Sequence, residues 1–319
     1  MKNLLRMLAA ATLLVSCAGN GGSADEPMYY CFTSFHEPAD EGLRLLYSED
    51  GLRWDSIPGV LLRPEIGQNI MRDPSMIRDR EGLFHLVWTI AWKGDTGFGY
   101  ARSADLVNWS EQRRIPAMDH IYSTQNVWAP EWFYDDERDE YMIIYASCVV
   151  DAGFDVGIED EKNNHRLYCV TTRDFETFSD PKLFYDPGFS CIDATLVKRG
   201  EGDYVMVVKD NTRPNRNIKV AFAEHAAGPY GPASEPFTEE FCEGPSVARV
   251  GDSYYIYYDA YRHFAYEAVR TDDFKTFVDA TPEISIPAGH KHGTVFTAPA
   301  SVVEHLIELR NAGVTPDLH

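Results

Sequence analysis

The chain has 319 residues, 13% of them aromatic, and a formal charge of −21. A field of that sign repels nucleic acid and anionic membrane surfaces, which makes both poor partners. The length suits two average domains or one large β domain, and a repeat running nearly end to end favours the second.

Residues 1–16 read as an export leader, because Lys2 and Arg6 flank an apolar run through Val15 that is too short to span a bilayer as a mature helix. Leu14-Val15-Ser16-Cys17 has the form of a bacterial lipobox, with Cys17 as the lipidated first residue and a polar tether over 17–27 behind it. The expectation is an exported lipoprotein, periplasmic or at the cell surface, that meets the membrane only through Cys17. Residues 28–319 are expected to form one catalytic domain and a monomer.

Residues 28–35 form an aromatic strand, 43–48 a second, and Trp54 marks a third. These are the later strands of a unit whose first strand is missing at this end. Then a pattern recurs four times: an acid, a short apolar strand, a tight polar turn and an aromatic strand. It opens at Arg72-Asp73-Pro74-Ser75, Trp128-Ala129-Pro130-Glu131, Cys191-Ile192-Asp193-Ala194 and Cys242-Glu243-Gly244-Pro245.

A second signature closes the units: Ser48-Glu49-Asp50-Gly51, Ser103-Ala104-Asp105-Leu106, Thr172-Arg173-Asp174-Phe175 and Thr271-Asp272-Asp273-Phe274, with Gly228-Pro229-Tyr230 in its place in the fourth unit. It therefore occurs five times and the acid-led strand four. His292-Gly293-Thr294-Val295-Phe296 supplies the missing strand near the C-terminus. The fold class expected is all-β: five four-stranded sheets in a β-propeller, closed by N- and C-terminal strands in one blade, which leaves no open edge. No Ser/Gly/Pro linker separates the units, which argues against hairpin modules on a string. Residues 302–311 read as a short helix lying on the ring.

Five cysteines follow Cys17, an odd number without CxxC spacing, which argues against a zinc site and a complete disulfide framework. Cys148 and Cys169 lie on consecutive strands and could pair, but buried free thiols are the expected state.

Links between first and second strands are tight turns. Links between second and third strands are longer and share a face with the acids. That face carries His36, Trp92, the insertion 149–164, Asn211 with Arg213 and Arg216, and Tyr261 with His263. Asp73, Glu131, Asp193, Glu243 and His292 open the five inner strands, so all five are expected to converge on the axis.

Crowded carboxylates drive their proton affinities apart, which gives the protonated acid and ionised base that glycoside hydrolysis needs. Each residue also has a plainer role. An Asp before Pro caps a turn, Glu131 sits in a packing-rich context, and a lone His is often a buried hydrogen-bonding group. The shared place in the repeat favours function. Trp92, Trp128 and His36 are candidate sugar walls, Glu131 and Tyr261 candidate contacts, and Arg213 or Arg216 candidates to hold Asp193 ionised.

Arg72-Asp73-Pro74-Ser75, Trp128-Ala129-Pro130-Glu131, Ile192-Asp193-Ala194, Glu243-Gly244-Pro245 and His292-Gly293-Thr294-Val295-Phe296, in that order, resemble glycoside hydrolase family 43. The resemblance implies a five-bladed propeller that hydrolyses arabinofuranosides, xylosides or related pentose and galactose linkages with inversion. It implies Asp73 as general base, Glu243 as general acid and Asp193 as the residue that tunes and orients that acid. It matches His292 to a central histidine that binds calcium or its water, with no cofactor needed for the chemistry.

The function expected is an exo-acting α-L-arabinofuranosidase or β-xylosidase acting on an oligo- or polysaccharide, with insertion 149–164 walling off the groove. The alternatives are an endo-acting arabinanase, a galactofuranosidase or galactosidase, and a non-catalytic carbohydrate-binding lipoprotein. A related retaining family that cleaves fructans wants an early Asn-Asp-Pro-Asn-Gly segment, which this chain lacks. Propeller phosphorylases want a basic phosphate pocket, for which only Arg213, Arg216 and Lys219 offer themselves.

Overall fold

The computed structural model describes residues 26–155 and 161–313. The leader, the lipobox with Cys17 and the centre of the 149–164 insertion lie outside the described residues. Five antiparallel sheets make a five-bladed propeller. Blade 1 is Met28–Ser34, Arg44–Ser48 and Asp55–Ser56, with Val295–Pro299 as its innermost strand. Blade 2 is Arg72–Arg78, Phe84–Thr89, Phe98–Ser103 and Arg113–Ile115, and blade 3 is Trp128–Asp135, Glu140–Ser147, Arg166–Thr172 and Lys182–Tyr185. Blade 4 is Cys191–Gly200, Asp203–Asp210 and Ile218–Ala223, and blade 5 is Cys242–Val250, Ser253–Ala260, Ala265–Thr271 and Val278–Asp279.

The ring closes as the repeat count requires: Val295–Pro299 pairs with Met28–Ser34, with Cys31 opposite Phe296. The helix expected near the C-terminus spans Ala300–Asn311. Blade 4 differs from expectation in having three strands. This is the unit with Gly228-Pro229-Tyr230 in place of the Asp signature. Gly231, Ser234 and Phe237 still donate backbone N–H groups to Phe222, Val220 and Ile218, so irregular chain covers that edge.

Second strands are almost wholly buried because neighbouring blades pack on both of their faces. Side chains alternate across a strand, so neighbours enter different blade interfaces. Tyr141, Ile143 and Tyr145 pack toward blade 2, whereas Met142, Ile144 and Ala146 pack toward blade 4. Five such core layers, one per interface, hold the ring together.

The Asp signature is a turn device. Asp50, Asp105, Asp174 and Asp273 each accept N–H bonds from the residues two and three positions on, at 2.7–2.9 Å. The Ser or Thr two positions earlier caps the intervening residue. These local bonds satisfy turn backbone that no neighbouring strand reaches. All five cysteines after Cys17 are buried, and none forms a disulfide among the described residues.

Candidate active site

Each inner strand of blades 2 to 5 carries a β-bulge at the acid face, and the bulge holds a residue in the left-handed region. These residues are Asp73 (φ 49°), Ala129 (φ 48°), Asp193 (φ 51°) and Gly244 (φ 56°). Bulges re-aim side chains, and non-glycine residues adopt this conformation at a cost of about 1–3 kcal/mol that functional sites retain.

The bulge also corrects the sequence alignment. Asp73 and Asp193 occupy it, Glu243 stands one residue before it, and Glu131 two residues after. The acids therefore sit at three positions of the repeat.

Glu131 falls where the other blades place Ser75, Thr195 and Ser246. It does not join the sugar pocket. It lies deeper on the axis, where Thr195 Oγ1 donates to it at 3.3 Å and Thr294 donates to its other oxygen. Burial pushes its carboxyl up to about 7 against these hydrogen bonds.

Asp73, Asp193, Glu243 and His292 do come together, around a pocket of about 80 Å³. His292 Nε2 lies 3.3 Å from Asp73 Oδ1 and 3.8 Å from Glu243 Oε1. Thr89 Oγ1 donates to Asp73 Oδ2 at 2.8 Å and accepts from the Ala129 N–H, which ties the carboxylate to the next blade. Asp193 Oδ2 accepts the Gly244 N–H at 3.2 Å, so it touches the backbone that carries Glu243. Gly244 is required there, since a Cβ would stand 2.0 Å from the His292 ring.

A buried cation that faces these acids is Lys209, which the sequence reading missed. Its Nζ lies 2.8 Å from Glu243 Oε2 and 5.4 Å from the Tyr261 ring centre, with the side chain buried. Burial alone would raise Glu243, but Lys209 and His292 bring it down to about 2. Burial raises Asp193 despite His292 and Lys209, with the Glu243 and Asp73 charges adding to the rise. For His292 the order reverses: burial lowers it, and the surrounding carboxylates raise it further than burial lowers it. Before substrate binds, the site thus favours an anionic Glu243 and a proton toward Asp193 and His292.

The groups that act most strongly on Asp193, after its burial, are His292 and Lys209 rather than Arg213 or Arg216. Arg213 is exposed on its loop. Tyr261 contributes its ring to Lys209, and its hydroxyl is buried without a partner. Trp92 and Trp128 line the pocket with ring centres 5.3 Å apart, and Trp128 Nε1 donates to the Trp92 carbonyl at 2.8 Å. Trp92 remains 52% exposed, an apolar face available to ligand. His36 sits apart from this wall, stacked edge-on against His290 at 4.6 Å.

Asp73 and Glu243, the carboxylates nearest His292, are engaged by Thr89 and Lys209. Among the described residues no three metal-holding side chains gather.

The five-bladed ring with its carboxylate-lined axial pocket defines the class as a five-bladed β-propeller with an acidic axial site. A family model described as "Probable glycosyl hydrolase domain", of the family-43-related type, matches residues 25–303, and the chain belongs to that family. It is similar to an α-L-arabinofuranosidase of Bifidobacterium longum subsp. longum, 27% identical over 160 residues. That match covers 44% of this chain and 15% of the relative, so the chain spans a small part of that protein's length.

Among solved structures, a thermostable family-43 glycoside hydrolase superposes with a TM-score of 0.54 at 15% identity, over 74% of this chain and 82% of that one. An exo-β-1,3-galactanase of Phanerochaete chrysosporium, solved with galactose, gives 0.51 at 14% identity, over 70% and 53%. At these identities the likeness shows a common fold.

Proposed function

We propose that the protein is an inverting, exo-acting glycosidase that releases α-L-arabinofuranosyl or β-xylosyl units from oligosaccharides or polysaccharide side chains. The observation that carries this reading is the pair Asp73 and Glu243, which flank His292 in one pocket walled by Trp92 and Trp128. The two His292 contacts, 3.3 and 3.8 Å, cap the separation of the nearer carboxylate oxygens at about 7 Å, a bound that covers both the roughly 5 Å of a retaining pair and the roughly 6.5 Å at which inversion begins, so the inverting outcome rests on family membership.

Asp73 removes a proton from the attacking water. Glu243 protonates the leaving oxygen, and Asp193 orients it through the Gly244 backbone. Glu243 is anionic beside Lys209 at rest, so it must gain its proton as the pocket fills. A neutral sugar that expels water raises the cost of the carboxylate charge and drives the proton there. The small pocket favours one terminal sugar over a threaded chain. The arabinofuranosidase relative supports the sugar class, and the presence of Asp73, Asp193 and Glu243 together speaks against a purely binding protein.

The test is hydrolysis of nitrophenyl α-L-arabinofuranoside, β-D-xyloside, β-D-galactofuranoside and β-D-galactoside by wild type and Glu243→Gln. Turnover of either pentoside, lost in the variant, supports the reading. Turnover of a galactoside alone moves the substrate class, and silence from a folded wild type removes the exo-glycosidase.

We also propose export and anchoring through Cys17, supported by the Leu14-Val15-Ser16-Cys17 segment. Mass spectrometry that finds an unmodified N-terminus elsewhere overturns it.

A further inference from the structure

Arg72 immediately precedes Asp73 and lines the same pocket. Its guanidinium carbon lies 4.7 Å from the Trp92 ring centre and 4.9 Å from the Phe35 ring centre, so two aromatic faces hold it in one plane. One nitrogen, Nη1, is bound to both oxygens of Glu37, at 2.8 and 3.0 Å. Among the described residues the Nε and Nη2 donors have no protein hydrogen-bond partner, and neither is closed off from water, with 14% of the side chain exposed. Donors held in plane beside the pocket and open to water are free to bind a ligand's acceptor oxygens in place of that water.

We infer that Arg72 is a specificity-determining residue whose free donors bind hydroxyl oxygens of the sugar seated against Trp92 and Trp128, beside Asp73. This rests on the glycosidase reading and deepens it with a substrate property, neutrality of the terminal sugar. A guanidinium offered alone would suit a carboxylate-bearing sugar, since the planar fork matches a carboxylate. Here Glu37 already compensates the charge, Asp73 is the next residue, and Glu243 shares the pocket. An anionic sugar would meet Arg72 and Lys209 each already paired with a carboxylate, beside the further acids Asp73 and Asp193. Glu37 is therefore a positioning residue: it holds Arg72 in plane and sets the charge the sugar meets.

The experiment is equilibrium binding by calorimetry of L-arabinose, D-xylose, D-galactose and D-glucuronate to wild type, Arg72→Met, Arg72→Lys and Glu37→Gln, with melting curves to confirm folding. Wild type should bind one neutral sugar in preference to glucuronate. Arg72→Met should weaken that sugar at least tenfold with the fold intact, and Arg72→Lys should recover only part of the loss. Glu37→Gln should shift the ratio of affinities toward glucuronate several-fold, a change that a merely structural residue would not cause.

Unchanged sugar affinity in Arg72→Met, preference for glucuronate in wild type, or no sugar binding at all overturns the inference. Because binding is read without turnover, a catalytically silent protein that shows these shifts would refute the glycosidase reading and leave the assignment of Arg72 standing.

Discussion

Replacing Lys209 with Met removes the ammonium 2.8 Å from Glu243 while keeping most of the stem volume. Loss of one partner from a buried ion pair costs about 3–5 kcal/mol. Lys209 is 2% exposed but Glu243 is 23% exposed, which places the cost at the low end, about 3 kcal/mol. At about 2–4 °C per kcal/mol for a domain of this size, the melting temperature should fall by on the order of 10 °C.

Glu243→Gln also breaks the pair, so the double variant should lose less than the sum of the single losses, with a coupling of about 2 kcal/mol. The sign with pH follows from Glu243, held at about 2 against an ordinary 4.5. A depressed carboxyl contributes stability that is present above 4.5 and is lost as pH falls toward 2. Urea melts of the four proteins at pH 7 and pH 4 read both effects. Additive losses at pH 7, or a coupling that grows on acidification, would refute the argument that Lys209 and Glu243 form the charged centre of the site.

His290 bonds Ser34 and Ser56 in the closing blade, both at 3.0 Å, and burial, with the charges of His36 and Arg44, pushes it down to about 4. The unfolded chain therefore takes up more protons between about 6.5 and 4, and wild type should lose up to about 3 kcal/mol as pH falls through that window. Stability curves of His290→Gln should be flatter there. Gly244→Ala places a Cβ against His292 at a positive φ, so it should destabilise by at least about 1 kcal/mol and lower kcat/KM about 100-fold, as melting and steady-state kinetics will show. Exhaustive chelation should leave kcat and melting temperature unchanged, because among the described residues no three metal-holding side chains gather at His292.

The ring is legible in the sequence because its repeats are local. The Asp turns bond their own backbone, so Asp50, Asp105, Asp174 and Asp273 recur at fixed offsets. The missing first strand can be counted without any structure. Exact register is harder to read, because a bulge inserts one residue without changing composition. Glu131 therefore looks equivalent to Asp73 yet faces a deeper layer.

Lys209 is hidden for another reason. At the end of Asp203–Asp210 it reads as a strand-terminal charge beside Asp210. The available signal is parity: Val205 and Val207 on the same face are core residues, so Lys209 continues an inward row. Arg72 is similarly masked by its motif, where the adjacent Asp73 draws the chemistry. Its partners Phe35, Glu37 and Trp92 lie on two other loops that only folding brings together.

The central claim is a single displacement with Asp73 and Glu243 on opposite faces of the sugar. Proton NMR of the first-formed product, recorded within seconds of mixing enzyme with the pentoside it turns over, tests this most directly. The account predicts that the released sugar appears first as the anomer opposite to the substrate, with the other anomer growing only at the rate of spontaneous mutarotation. Initial appearance of the substrate's own anomer would contradict it and make one of the two carboxylates a nucleophile.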